Sequence, residues 1–344
     1  MTRYIYREES EGGFLYDKET LTYSSEKEPP EDAEFRPIHR QPKRPIRSPL
    51  RVYFETTKRC NLRCIHCFNG SRDKMDDELD TYGSRKLLDE LREEDLFEIR
   101  FTGGEFTARS DWQVLLRHSL DLGLISSINT NGVLKKKDLE TLVKISPHQL
   151  IVSLDGPEEI HDHIRGKGTF RQTYETLVYL SKGYKGQLRI NSQLNSLTKG
   201  HAVETVSIAE SLGIDICFIQ TWDLGRSKDL ASIDMGDTYQ ELDKLEPGIK
   251  VHYRKKNSRD LNNCRDYTPI CLAAERGFTV KADGEVYACA YLAELENYKG
   301  EFSAGNIRNS SVNEIWETSM QSFRKMIEGK ECFAETLYRR RKDA

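Results

Sequence analysis

From residue 51 onward, short β-type runs alternate with amphipathic helical stretches, and a chain patterned this way has little choice but to build parallel βα units. Strands are expected at 51–56, 98–102, 126–130, 149–153, 188–194 and 216–221. Between them, apolar residues spaced three or four apart place helices at 84–91, 110–121, 137–145, 170–181 and 203–212. Six strands joined in this manner predict an α/β fold, a partial (β/α)6 barrel over residues 51–223. In such sheets the loops at the carboxyl ends of the strands gather the chemistry, so the residues just after each strand carry the functional argument.

The flanks read differently. Residues 1–35 hold ten acids and four bases, and Gly13-Phe-Leu-Tyr with Leu21-Thr-Tyr suggests a short hairpin turning near Asp17 and Lys18. Residues 36–51 hold six bases, four prolines and no acid, which predicts an extended, solvated connector. Residues 1–50 are therefore expected to be an appendage whose deletion from 2 to 48 spares the metal chemistry. Residues 224–263 read as a helix and connector. A smaller α+β unit at 264–344 holds a hairpin turned by Asp283-Gly284 and a helix at 312–327. With 52 Lys plus Arg against 56 Asp plus Glu, the formal charge is only -4, so no global field recruits nucleic acid or anionic lipid. The amino terminus lacks the apolar core of a signal peptide, and no stretch approaches the roughly 18 apolar residues of a membrane span, so a cytoplasmic protein is expected.

In a reducing compartment, eight cysteines are better explained as metal ligands or reactive thiols than as disulfides. Directly after the first barrel strand stands Cys60-Asn-Leu-Arg-Cys64-Ile-His-Cys67, three thiols that let one loop wrap a compact inorganic core. Zinc is the rival, but a structural zinc site wants four ligands, and the neighbours His66 and Cys67 do not easily face one metal together. A [4Fe–4S] cube takes one thiolate per iron, so three leave one iron open.

This CxxxCxxC loop at that place in a partial barrel resembles the radical S-adenosylmethionine (radical SAM) superfamily. The resemblance implies that Cys60, Cys64 and Cys67 hold a [4Fe–4S] cluster, whose open iron chelates S-adenosylmethionine and cleaves it to a 5′-deoxyadenosyl radical that abstracts a substrate hydrogen. It implies an electron donor such as flavodoxin or ferredoxin. Thr102-Gly103-Gly104-Glu105 resembles the GGE segment, in which exposed glycine backbone and Glu105 receive the cofactor's ammonium. Asn129-Thr-Asn131-Gly132 resembles the TNG turn beside the site. Ser153-Leu-Asp-Gly with Arg165-Gly166 resembles the run whose serine and arginine meet the ribose and carboxylate. Arg165 is chemically suited to that task, being planar and always charged, with a surface salt bridge as its plainer reading. Asp155 reads as a turn cap, His66 as a ring over the adenine side of the loop, and His161 and His163 as polar loop residues.

The carboxyl-terminal Cys271, Gly284 and Cys289 resemble the Cys-Gly-Cys element of SPASM and twitch domains. With Cys264 and Cys332 they match the order of four ligands to an auxiliary [4Fe–4S] cluster. The dense cysteine run for a second auxiliary cluster is missing, which implies two clusters in total. Cys217, alone in the sixth strand, reads as apolar packing. Gln220, Trp222, Asp223 and Tyr291 are candidate cavity residues, and no spacing assigns a catalytic acid or base. Relatives with such domains include maturases of ribosomally made peptides, and the amino-terminal segment resembles their openings, so a precursor peptide is the expected substrate. The alternatives are radical chemistry on a nucleoside or sugar, and a non-catalytic iron–sulfur protein.

Overall fold

The computed structural model describes residues 2–38, 46–227, 230, 235–253, 273–295, 300–327, 334 and 337. An amino-terminal sheet comprises β1 (Tyr4–Glu8), β2 (Gly13–Asp17), β3 (Thr22–Glu26) and β4 (Glu34–Arg36), in the order β3-β2-β1-β4. The expected hairpin is β2 and β3; β4 was not foreseen. The barrel strands follow as β5 (Arg51–Glu55), β6 (Glu98–Thr102), β7 (Ile125–Thr130), β8 (Gln149–Ser153), β9 (Gln187–Leu194), β10 (Asp215–Gln220) and the short β11 (Val251–His252), all parallel. Helices α1 (Thr81–Glu93), α2 (Trp112–Asp121), α3 (Lys136–Ile145), α4 (Glu158–Arg165), α5 (Thr169–Gly183), α6 (Ala202–Ser211) and α7 (Gly236–Asp243) complete the βα units. All six expected barrel strands and all five expected helices are present. The sequence reading missed α4, whose apolar positions are only Ile160 and Ile164, although Pro157 followed by two glutamates marks a helix start.

The carboxyl-terminal hairpin does not form a sheet of its own. Strand β12 (Gly277–Val280) pairs in parallel with β5, and β13 (Glu285–Tyr287) and β14 (Ser303–Asn306) add antiparallel to it, giving one ten-stranded sheet. The first barrel strand would otherwise present an open edge, and β12 covers it.

Alternation along the strands sorts the side chains. Val52, Phe54, Ile99, Phe101, Ile128, Leu150, Val152, Ile190, Ile216 and Phe218 face the helices and join one apolar core with Leu87, Leu115, Leu142, Leu177 and Val206. The opposite face lines the lumen, and it is polar, with Arg51, Tyr53, Glu55, Glu98, Arg100, Ser127, Asn129 and Ser153 where a closed barrel is commonly filled by branched apolar residues. Cys217 is buried on that inner face and belongs to neither apolar cluster, so the apolar-packing reading is half right.

A second apolar cluster joins Ile5, Phe14, Tyr16 and Leu21 of the amino-terminal sheet to Leu50, Phe97 and Ile125 at the amino ends of β5, β6 and β7. The sheet therefore caps the barrel rim opposite the functional loops. Arg7, fully buried, donates to the carbonyls of Ser48 and Pro49 at 2.9 Å and pairs with Glu9 at 2.7 Å, while Arg47 pairs with Asp95 at 2.9 Å. Arg36, Arg47 and Arg51 are all buried, which corrects the expectation of a solvated connector: its ends are anchored, and residues 39–45 lie outside the described part. Deleting residues 2–48 would strip Phe97 and Ile125 of their cover. No helix among the described residues is long and apolar enough to cross a membrane.

Candidate functional site

The loop after β5 is clamped by backbone contacts before any side chain is considered. Cys60 N donates to Arg72 O at 2.9 Å, and Ile65 N donates to Ile164 O on α4 at 2.9 Å. From the far side, Arg226 N donates to Cys67 O at 2.9 Å, and its side chain reaches Cys64 O and Ser71 O, each at 3.0 Å. Gly225 makes this approach possible: its φ is +58°, and a Cβ there would lie 2.2 Å from Phe68 O. Neither Gly225 nor Arg226 was singled out from the sequence, where a Leu-Gly-Arg after the last long strand carries no signal. Burial pushes the Cys60 thiol up to about 11 and raises that of Cys64, so both favour the neutral thiol until a metal takes the proton's place. Among the described residues, no three His, Cys, Asp or Glu side chains converge as they would around a single ion.

Gly104 packs on the stem of the same loop. Its N–H donates to Thr57 O at 2.7 Å, and a Cβ would stand 2.2 Å from Arg59 O. Gly103 O accepts from the Asn69 amide at 3.2 Å, and Cys67 Sγ donates to Asn69 Oδ1 at 3.0 Å. The close approach that these glycines permit is thus to the cysteine loop. Glu105 is buried and accepts from Thr107 N at 3.2 Å, Thr107 Oγ1 at 3.0 Å, Thr130 Oγ1 at 2.9 Å and Asn131 N at 2.9 Å. Four donors fill a carboxylate's lone-pair sites, so Glu105 ties the turn after β6 to the turn after β7. Burial, outweighing these donors, raises its pKa. Asn131 extends the tie to the cysteines: its Nδ2 donates to Asn61 Oδ1 at 2.8 Å and lies 3.9 Å from Cys60 Sγ. A cleft of about 570 Å³ opens beside Cys60, with Arg59, Glu105, Arg109, Lys135 and Lys137 on its walls.

Under the loop lies a buried ionic cluster that corrects three expectations. Asp155 is fully buried, and its Oδ2 receives His66 Nε2 at 2.7 Å and Arg165 Nε at 2.5 Å, while its Oδ1 accepts from Gln193 N at 2.9 Å. Asp155 is not a local turn cap, and Arg165 is no surface residue. Burial works against the charge on Asp155, but Arg165 and His66 prevail and hold it well below the usual carboxylate range. Burial likewise opposes the charge on Arg165, and Asp155 outweighs it, raising the guanidinium's pKa. His161 sits on α4 rather than in a loop; it is fully buried and accepts from Asp155 N at 3.2 Å. Burial, and then Arg165, lower it to about 4. His66 Nδ1 faces no hydrogen-bond partner. Ser153 stands half-buried at the end of β8.

Two of the four expected cavity residues, Trp222 and Tyr291, meet. Trp222 stacks on Tyr291 with centroids 4.6 Å apart, and Tyr291 meets Phe68, next to Cys67, at 5.8 Å. Lys281 at the end of β12 pairs with Glu55 at 2.6 Å and with Glu294, and Lys58 joins Glu55 at 3.1 Å, fastening the carboxyl-terminal hairpin to the root of the cysteine loop. Cys289 follows that hairpin, half-buried. Cys264, Cys271 and Cys332 lie outside the described residues.

The family model of the radical SAM superfamily matches residues 54–190, and that of an iron–sulfur cluster-binding domain, SPASM, matches 271–335. Mycofactocin maturase MftC of Mycolicibacterium smegmatis is 25% identical over 83% of this chain and 74% of its own. An AdoMet-dependent heme synthase of Methanosarcina barkeri is 27% identical over 83% of this chain and 86% of its own. In fold, the chain is similar to Streptococcus suis SuiB bound to its precursor peptide SuiA, with a TM-score of 0.77, 14% identity, and coverage of 97% of this chain and 95% of that one.

Proposed function

Because the chain is a radical SAM enzyme with a SPASM-type iron–sulfur domain at its carboxyl-terminal end, we propose that its substrate is a ribosomally made precursor peptide whose leader docks on the amino-terminal sheet. Its cofactors are [4Fe–4S] clusters and S-adenosylmethionine. Cys60, Cys64 and Cys67 would hold the first cluster, and the donor set fits: three thiols on one loop, fixed by Arg72, Ile164 and Arg226. Cys264, Cys271, Cys289 and Cys332 would hold an auxiliary one. When bound, the cluster and S-adenosylmethionine together supply a 5′-deoxyadenosyl radical that abstracts a substrate hydrogen.

This chain's own residues then have positioning tasks. Glu105 and Asn131 lock two strand-end turns to the cysteine loop. Asp155 fixes His66 and Arg165, so that the free His66 Nδ1 and the remaining guanidinium N–H groups point from a rigid base. Ser153 is left to meet the ribose. Arg59, Lys135 and Lys137 give the cleft beside Cys60 a basic approach suited to an anionic electron donor of the flavodoxin or ferredoxin kind.

The observation that carries the peptide reading is the amino-terminal sheet. Among the described residues both of its edges, β3 and β4, pair on one side only, and three residues of β3 are exposed, a surface open to strand addition. Its place at the amino-end rim sets a length. A strand of about five residues spans roughly 17 Å, so the leader contact and the modified residue must be more than about five extended residues apart. The AdoMet-dependent heme synthase relative favours a second reading, a small-molecule substrate. The test uses anaerobically reconstituted enzyme and, as candidate precursor, the product of a short reading frame sought beside its gene. Wild type is expected to bind and modify it; Ser24→Pro or Ser25→Pro, one of which removes an outward N–H from the β3 edge, should lower affinity about tenfold or more. Undiminished affinity in both sinks the leader docking.

A further inference from the structure

Among the described lumen residues, Arg189 is a charge that the cofactor and leader contacts do not use and that no ion pair engages. On β9, Ile190 points outward into the apolar core, which turns Arg189 and Asn191 inward. Arg189 is only 8% exposed, and neither its Nε nor its Nη2 has a hydrogen-bond partner. Its cross-strand neighbours supply none. Ile151 on β8 is apolar, and Asp215 on β10, which accepts from Lys250 N at 2.9 Å, makes no hydrogen bond or ion pair with Arg189. Glu98, on the same inner face, is already engaged by Arg51 at 2.8 Å, Arg100 at 2.8 Å and Ser127 at 3.0 Å. The amide oxygens of Asn129 and Asn191, facing the same space, are also buried without partners.

A guanidinium keeps its charge at any working pH. An unpaired buried charge is among the costliest features a fold retains, and buried amide oxygens without donors add to that cost. The arrangement becomes favourable when something brings a carboxylate to Arg189 and N–H groups to the two asparagines, and an acidic peptide segment carries both. We propose that Arg189 anchors a substrate carboxylate inside the barrel, with Asn129 and Asn191 accepting from the adjoining peptide N–H groups. This rests on the peptide reading above and deepens it: the segment entering the lumen presents an Asp or Glu side chain or a free carboxyl terminus.

The holoenzyme, saturated with S-adenosylmethionine, is melted with each of three pentapeptides. They are acetyl-Ala-Ala-Glu-Ala-Ala-amide, its Gln counterpart, and acetyl-pentaalanine with a free carboxyl terminus. At a hundredfold excess over Kd, the Glu peptide or the free-carboxylate peptide should raise the melting temperature by about 5 °C, and the Gln peptide should not. Response to the first alone identifies a side chain, and response to the third alone identifies the terminus. Arg189→Met should abolish the response and, without peptide, melt no lower than wild type, because it removes an uncompensated charge. Equal shifts with Glu and Gln, or an intact response in Arg189→Met, would overturn the assignment. So would Arg189→Met and Arg189→Gln both melting well below wild type, since the guanidinium would then brace the fold. Loss of the carboxylate response with precursor docking on β3 intact defeats this inference alone; failed docking with the response intact defeats the peptide reading alone.

Discussion

At the carboxyl-end rim, Cys60, Asn61, Glu105, Asn131 and Arg226 meet through hydrogen bonds between loops, whereas at the amino-end rim Ile5, Tyr16, Leu50, Phe97 and Ile125 bury apolar surface under a small sheet. A buried Phe or Leu contributes about 1.5–3 kcal/mol, against about 1 kcal/mol for a hydrogen bond exchanged with water. The amino-end rim therefore supplies stability and the carboxyl-end rim supplies position. Each rim also has a buried ion pair at its centre, Arg7 with Glu9 on one side and Asp155 with Arg165 on the other. The pairs are chemically alike, and what differs is their neighbours: carbonyls of the connector around Arg7, and the cysteine loop's own histidine around Asp155.

That contrast is most sharply tested by breaking both pairs. Arg7→Met and Asp155→Ala each leave a buried charge alone, and each is expected to cost about 3–5 kcal/mol in urea unfolding of the apoprotein. Only Asp155→Ala should also weaken iron retention after reconstitution, by about tenfold or more, because it releases the support of the cysteine loop. Equal iron loss in the two variants would erase the distinction.

A smaller effect comes from pH. Burial, aided by Arg165, lowers His161 to about 4, so between that value and the ordinary 6.5 or so the unfolded chain binds a proton that the folded one refuses. The contribution of neutral His161 is complete above about 6.5 and is lost as the pH falls toward 4, in total about 3 kcal/mol. His161→Asn, whose side-chain oxygen accepts from Asp155 N in its place, should flatten the pH dependence of the unfolding free energy between pH 7 and 4.5. An unchanged slope would remove His161 from the account of this rim.

The smallest effect concerns the sheet's lateral contact. Arg276 lies 5.8 Å from the Phe14 ring and 5.7 Å from that of Tyr23, a cation–π contact of about 1 kcal/mol. Arg276→Ala should speed hydrogen exchange in β1 to β3 while leaving β5 to β8 protected and the iron content unaltered. Faster exchange in the barrel strands would show that the two rims are not mechanically separate.

The periodicity of residues 51–221 located six strands and five helices, because alternation and three-to-four spacing are local properties of the chain. The Cys60, Cys64 and Cys67 loop was equally legible, since all its chemistry lies within eight residues. Other features were decided by long-range packing. His66 and Asp155 are 89 residues apart, and nothing in either segment states that both will be buried. Gly225 and Arg226 gain meaning only once the end of β10 returns to the cysteine loop. The hairpin holding Asp283 and Gly284 was visible as a hairpin, but its pairing with β5 depended on which edge remained open after the barrel was built. Sequence by itself thus determined the six long barrel strands, five of its helices and the loop that gathers three thiols, which short-range pattern encodes. Only the tertiary structure decided which charges are buried together and that Arg189, among the described residues, is buried with no ion-pair partner, because desolvation belongs to the space between elements.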